Sequence, residues 1–236
     1  MESLQGEGVL VGSRQVFLRF TGCNLRCNYC DTPESLAPVS LCRLYTQTGM
    51  RGPGLDIANP IRPEQIADIV QKHYSSRWIS LTGGEPLLWP AFIQELAAIL
   101  AAQGYRFLLE TNGTLTQALE SCLPWIDLIS MDWKLTSAIG YDTSDLHHAF
   151  IERAQQNLCY IKIVVTATST TEEVEAAVDR IASVNRRLPV ILQIASSQGA
   201  VLPPPLDTVL EMQKRSLLKL DDVRVLPQVH RLLDMI

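Results

Sequence analysis

The 236-residue chain has no run of Lys or Arg, no apolar stretch that could span a bilayer, and no second group of cysteines beyond one cluster near its start. Each absence excludes a class of protein. With 20 Lys and Arg set against 25 Asp and Glu, for a formal charge of −5, the chain is not suited to hold nucleic acid by neutralising phosphates. A small-molecule or peptide substrate is expected instead. A membrane-spanning helix needs roughly 20 apolar residues in a row, and none is present. The opening MESLQGEG also lacks the basic and apolar parts of a signal peptide, so no membrane association and a cytoplasmic location are expected. There the six cysteines would stay reduced, and their spacing is read for metal chemistry or packing before disulfides.

What is present is a composition 47% apolar, enough for one large core at this length. Apolar strand-like runs fall at 16–20, 78–82, 106–110, 126–130, 160–165, 190–195 and 223–226. Helical spacing occupies 63–73, 90–102 and 171–186, with Pro63–Glu64 and Thr171–Glu172–Glu173 suited to helix starts. Alternation of strand and helix predicts an α/β domain with a parallel sheet, and the unbroken apolar strands predict burial on both faces. Segment 35–60 is broken by Pro38, Gly49, Gly52, Pro53, Gly54 and Pro60. It reads as a long loop and a lid candidate.

Cys23-Asn-Leu-Arg-Cys27-Asn-Tyr-Cys30 places three thiols within eight residues, close enough for one loop to present three soft ligands to iron. A cubane has four irons, so three thiols leave one iron open for chemistry. A zinc site completed from afar, or an electron-transfer cluster completed by Cys42, are the alternatives. Zinc motifs usually carry a second ligand pair, and none follows here.

The CxxxCxxC spacing with an aromatic before the last Cys resembles the signature of the radical S-adenosylmethionine (SAM) superfamily, whose fold is a partial β/α barrel. The resemblance implies a [4Fe–4S] cluster on Cys23, Cys27 and Cys30, SAM chelated at the open iron and cleaved to a deoxyadenosyl radical, and Tyr29 against the adenine. In α/β barrels reactive groups gather at the carboxyl ends of the strands. There the chain has Thr82-Gly-Gly-Glu-Pro86, Glu110-Thr-Asn-Gly-Thr114 and Asp132-Trp-Lys-Leu-Thr-Ser137. Alone, each reads as a tight connection, an Asx turn or a surface loop. Together they resemble superfamily elements that bind SAM, which implies cofactor contacts by Gly83, Gly84, Glu85, Glu110, Asn112, Asp132, Lys134 and Ser137.

Arg19 lies among apolar neighbours in Val16-Phe-Leu-Arg-Phe20. Read as buried, it needs an anion: either Glu7, or a substrate carboxylate held in a bidentate fork. Thr32 is either a turn residue or a hard-oxygen ligand for Mg²⁺. QGEG, FLRFTGCNLRCNYCDT, TGGEP, ETNGT, DxK and VRVLPQVHRLL occur in the order and spacing of the 7-carboxy-7-deazaguanine synthase family, and that resemblance covers nearly the whole chain. It implies a lyase that contracts the ring of 6-carboxy-5,6,7,8-tetrahydropterin, with Mg²⁺ and without net consumption of SAM, on the queuosine route of tRNA modification. It also implies pterin contacts by Leu4, Gln5, Gly6, Arg19, Thr82 and Gln193, magnesium at Thr32, Arg19 and Thr32 as catalytic residues, a flavodoxin- or ferredoxin-like electron donor, and a homodimer. One domain over 1–236 is expected, with a cluster loop at 21–33 and the insertion at 35–60. An activating enzyme acting on a protein partner, and a family member with a changed substrate, are the competing readings.

Three departures from the family pattern stand out. The family's first strand usually begins several residues earlier, so a late start is expected. Segment 35–60, with Cys42, is longer than in many members, and Leu135 and Thr136 replace a frequent proline. Cys122 and Cys159 lie in apolar contexts and are expected to be core thiols. His147 and His148 read as surface residues without a role, Lys162 as structural and His230 as part of a terminal helix.

Overall fold

The computed structural model describes residues 1–46, 54–197 and 199–233. The chain opens with β1 (Glu2–Leu4) and β2 (Arg14–Phe20), followed by a hairpin of β3 (Leu41–Leu44) and β4 (Leu55–Ala58). Then strand and helix alternate: α1 (Pro63–His73), β5 (Trp78–Gly83), α2 (Pro90–Ala101), β6 (Arg106–Thr111), α3 (Thr116–Cys122) and β7 (Leu128–Trp133). The second half continues with α4 (Thr136–Ile139), α5 (Ser144–Ala154), β8 (Leu158–Val165), α6 (Thr171–Val184), β9 (Val190–Ile194), α7 (Leu206–Ser216), β10 (Val223–Leu226) and α8 (Val229–Leu232).

Eight strands form one sheet in the order β1-β2-β5-β6-β7-β8-β9-β10. Only β1 is antiparallel to its neighbour, and the two ends of the sheet do not pair with each other. The sheet is therefore an open, partial β/α barrel, as predicted. Helices α1, α2, α3, α5, α6 and α7 contact one another in sequence order, forming a single layer on one face, as right-handed crossovers between parallel neighbours require.

One continuous core lies between this layer and the sheet, with Ile79, Leu81, Phe107, Leu109, Ile129, Ile161 and Ile163 packed against Leu96, Leu100, Phe150, Val178 and Met212. It runs through every repeat, so the chain is one domain. The opposite face is split. Leu108, Leu128, Tyr160 and Ile191 form a smaller apolar cluster there with Val9 and Leu10, while Ser80, Ser130, Lys162 and Gln193 are polar and buried. Both faces are buried, as the sequence predicts, but the inner face is apolar only toward one end.

Helix starts follow the sequence signals. Thr170 Oγ1 accepts from the Glu173 amide at 3.2 Å while the Glu173 carboxylate accepts from the Thr170 amide at 3.3 Å, a reciprocal cap worth about 1 kcal/mol. Segment 35–60 differs from the expected loop: Leu41 to Leu44 pairs antiparallel with Leu55 to Ala58. Leu44 joins the main core, and Tyr74, just past the end of α1, donates to the carbonyl of Tyr45 at 2.8 Å. Positions 47–53 of the predicted lid lie outside the described residues. Among the described residues, no helix is long and apolar enough to cross a membrane.

Candidate functional site

At the carboxyl ends of the parallel strands one pocket collects Leu4, Gln5, Gly6, Arg19, Cys23, Cys27, Tyr29, Cys30, Thr32, Thr82, Gly83, Gly84, Glu110, Asn112, Asp132 and Lys134. These residues span most of the motifs read from the sequence. Three predicted residues, Glu85, Ser137 and Gln193, are not part of its lining.

The loop bearing the three cysteines leaves β2 and is tied down on three sides. Asn112 Nδ2 donates to Asn24 Oδ1 at 2.8 Å and lies 3.9 Å from Cys23 Sγ, and Asn24 Nδ2 donates to Thr114 Oγ1 at 2.8 Å. On the second side the Asn28 amide donates to Ala138 O at 2.9 Å and Asn28 Nδ2 to Ser137 O at 3.0 Å. The third side is glycine. Gly83 has φ +129°, open to glycine and strained for other residues. A Cβ on Gly84 would sit 2.0 Å from Gly22 O and 2.9 Å from Ser35 O. The paired glycines therefore bring the end of β5 against the backbone of the cysteine loop.

Glu85 does not face the pocket. It is fully buried, and its carboxylate accepts from the Leu87 amide (3.0 Å), Thr111 Oγ1 (2.8 Å) and the Asn112 amide (2.7 Å). Burial pushes its carboxyl up to about 7 against these donors. Its place is beneath the site, joining the β5 and β6 loops. Ser137 stands similarly apart: its amide donates to Glu173 Oε1 at 2.8 Å and its buried hydroxyl has no hydrogen-bond partner among the described residues. Gln193 points inward from β9, donating to Leu226 O at 3.0 Å, with its Oε1 unpartnered among the described residues.

Two polar groups occupy the pocket walls. Glu110 accepts from Gln5 Nε2 at 2.9 Å, Ser80 Oγ at 2.5 Å and Thr82 Oγ1 at 3.2 Å. This draws Glu110 to the residues predicted for the pterin rather than to the cofactor side. Opposite, Lys162 Nζ pairs with Glu7 Oε2 and lies 3.3 Å from Asp132 Oδ2, which is also 3.1 Å from Lys134 Nζ. Burial opposes the charge of Glu7, but the ammonium beside it prevails and holds the carboxyl down to about 2. Burial likewise opposes the charge on Lys162, and Asp132 and Glu7 outweigh it, keeping the amine protonated well above its ordinary range.

Arg19 corrects the sequence reading in one respect. It is exposed rather than buried, on the pocket side of β2, and Glu7, its proposed internal partner, pairs with Lys162. Among the described residues no carboxylate forms an ion pair with Arg19. Tyr29 is buried with Lys134 Nζ 5.2 Å from its ring centre. Cys42 sits in β3 outside the pocket and near the amino group of Met1, which removes it as a fourth ligand.

Sequence reasoning missed Glu7, Lys162 and His230, all of which line the pocket, and misplaced His147, which is fully buried. Lys162 had a signal, a lone charge in the apolar strand Tyr160-Ile-Lys-Ile-Val. His147 had none, because its partner is a backbone carbonyl.

Among the described residues no three His, Cys, Asp or Glu side chains converge as a single metal ion would require. Three thiols spread over one pocket-lining loop fit a cluster in which each ligated iron takes one thiolate. The sequence profile of the Radical SAM superfamily matches residues 17–187. The chain is 39% identical to the 7-carboxy-7-deazaguanine synthase of Geobacter sulfurreducens, over 97% of this chain and 93% of that one. It therefore belongs to the 7-carboxy-7-deazaguanine synthase family of radical SAM enzymes. The relative from Methanothermobacter thermautotrophicus is 38% identical over 98% of this chain and 94% of its own. The crystal structure of QueE from Escherichia coli shares the fold, with a TM-score of 0.65 at 20% identity, over 98% of this chain and 92% of that one. Membership makes the chain a radical SAM lyase, with a [4Fe–4S] cluster and SAM as the cofactors the superfamily implies.

Proposed function

We propose that the chain converts 6-carboxy-5,6,7,8-tetrahydropterin to 7-carboxy-7-deazaguanine, with loss of ammonia, in the cytoplasmic supply of deazapurines such as queuosine. The observation that carries this reading is the convergence of two motif sets on one pocket: the cysteine loop with Gly83, Gly84, Asn112 and Lys134, and the group Leu4, Gln5, Gly6, Arg19 and Thr82.

Cys23, Cys27 and Cys30 would hold the cluster, which together with SAM supplies a hydrogen-abstracting radical. The remaining chemistry belongs to the chain. Arg19, exposed to the pocket and in no ion pair among the described residues, offers a fork for the substrate carboxylate. Glu110, braced by Gln5, Ser80 and Thr82, offers a fixed acceptor for the N–H groups of a pterin ring. Thr32 and Asp31 line the same pocket and supply hard oxygens for Mg²⁺, which typically takes one or two protein oxygens and completes its shell with substrate and water. Tyr29 and Lys134 would lie on the cofactor side with Asp132. A flavodoxin- or ferredoxin-like protein would deliver the electron, and a homodimer is the proposed assembly. The proposed domain is 1–236 with the cysteine loop at 21–33. Of segment 35–60, Ser35 and Leu36 line the pocket and the described hairpin does not, so a lid role rests on its first residues.

The test is anaerobic reconstitution, analysis of iron, sulfide and zinc, and incubation with the carboxytetrahydropterin, SAM and reductant across a Mg²⁺ titration. Carboxydeazaguanine formed in proportion to cluster content, and increasing with Mg²⁺, supports the reading. An intact cluster that cleaves SAM but yields no carboxydeazaguanine would contradict it and favour action on a protein partner.

A further inference from the structure

Lys162 follows Ile161 and precedes Ile163 on β8, both fully buried in the core beneath the helices, so the alternation of the strand turns it to the inner face. Across the ladder it lies in register with Asp132 of β7. Its neighbour on the other side, in register on β9, is the apolar Ile191, so packing alone does not call for an ammonium here. Its two carboxylate partners come from separate segments of the chain. Glu7 belongs to the segment between β1 and β2 that carries Gln5 and Gly6, and its other oxygen accepts from Gln228 Nε2 at 2.9 Å. Asp132 sits with Lys134 and Tyr29, and its Oδ1 is buried with no hydrogen-bond partner among the described residues. Asp132 also pairs with Lys134, so Glu7 alone would compensate the Lys162 ammonium. The second carboxylate makes Lys162 a bridge.

We propose that Lys162 is a positioning residue for the synthase reaction, clamping the Glu7 segment to Asp132 and so fixing the substrate side of the pocket relative to the SAM side. This rests on the function proposed above. Reactions between two bound molecules depend steeply on their mutual placement. A loosened clamp leaves each half of the site competent while the two no longer register.

The test compares Lys162→Met, Lys162→Arg, Glu7→Gln and the double variant Lys162→Met/Glu7→Gln in the reconstituted enzyme. Three readouts are taken: pterin KM and kcat, deoxyadenosine released per carboxydeazaguanine formed, and amide hydrogen exchange of residues 5–12. Lys162→Met is expected to raise the pterin KM at least about tenfold, as losing one partner of a buried charge pair does. It should also raise the deoxyadenosine ratio and speed exchange at 5–12. Lys162→Arg should restore all three toward the parent, and the double variant should add little to Lys162→Met. Parent-like KM and exchange in Lys162→Met would overturn the proposal, as would loss of every activity together with iron and no rescue by Arg. If Lys162→Met does not fold, Glu7→Gln decides: faster exchange at 5–12 with unchanged iron content is expected, and unchanged exchange overturns the clamp. If the parent makes no carboxydeazaguanine the proposed function fails, while the exchange data still judge the clamp.

Discussion

The imidazole Nε2 of His147 lies 3.0 Å from the backbone carbonyl oxygen of Asn112, fully inside the protein, with Trp133 at 4.8 Å from the ring. A carbonyl only accepts, so the neutral ring carries its proton on Nε2, leaving Nδ1 to meet Thr143 Oγ1 at 3.4 Å. The loop that braces Cys23 is thereby fixed from below by a side chain of α5.

Burial lowers the pKa of His147 to about 4, against an ordinary value near 6.5. The unfolded chain therefore takes up this proton before the folded one does. The contribution of the neutral ring is complete above pH 6.5 and is lost as pH falls toward 4, by at most about 3 kcal/mol. Urea unfolding at several pH values, compared with His147→Gln, checks this. The difference in stability between parent and variant should shrink from pH 7 to pH 4, and a constant difference would contradict it.

Gly84→Ala should displace the cysteine loop, because its Cβ meets two backbone oxygens that cannot rotate away. Iron and sulfide per chain should fall severalfold after reconstitution. Gly104→Ala is the comparison: nothing lies within 4 Å of its Cβ, although φ is +81°. It should cost roughly 1–2 kcal/mol of stability from backbone strain alone and keep its cluster.

Glu85→Ala would strand the buried amides of Leu87 and Asn112 and the hydroxyl of Thr111. At about 1–3 kcal/mol for each unsatisfied donor, the thermal midpoint should fall by several degrees or more. An unchanged midpoint would mean that water replaces the carboxylate.

Arg19→Ala should reduce pterin turnover at least about a hundredfold, the scale of losing a bidentate charged contact, while SAM cleavage without pterin stays within about twofold. Equal loss of both would make Arg19 a residue of the fold.

Much of this site was legible because its motifs sit where a β/α repeat must end its strands, and short loops there keep sequence neighbours together in space. Cys23, Gly84 and Asn112 are found this way. Residues that work from inside strands were harder to read. Lys162 is one polar residue in an apolar run, and one of its ion-pair partners, Asp132, is thirty positions away in sequence but opposite it in the ladder. Glu7 and Arg19 show the converse: an arginine among apolar neighbours reads as buried and in need of an internal carboxylate, yet Arg19 is exposed to the pocket while Glu7 reaches Lys162. The hairpin of β3 and β4 was hidden by its glycines and prolines, which mark breaks without showing that Leu41 and Ala58 meet across them. The motif frame for Glu85 was right in place and wrong in direction, because its three donors lie beneath the pocket.

The most direct test of the account is the number of carboxydeazaguanine molecules formed per SAM consumed by the reconstituted enzyme, with Mg²⁺ and a flavodoxin-type reductant. Many products are expected for each SAM lost. One SAM consumed for every product, or SAM cleavage with no carboxydeazaguanine, would contradict it.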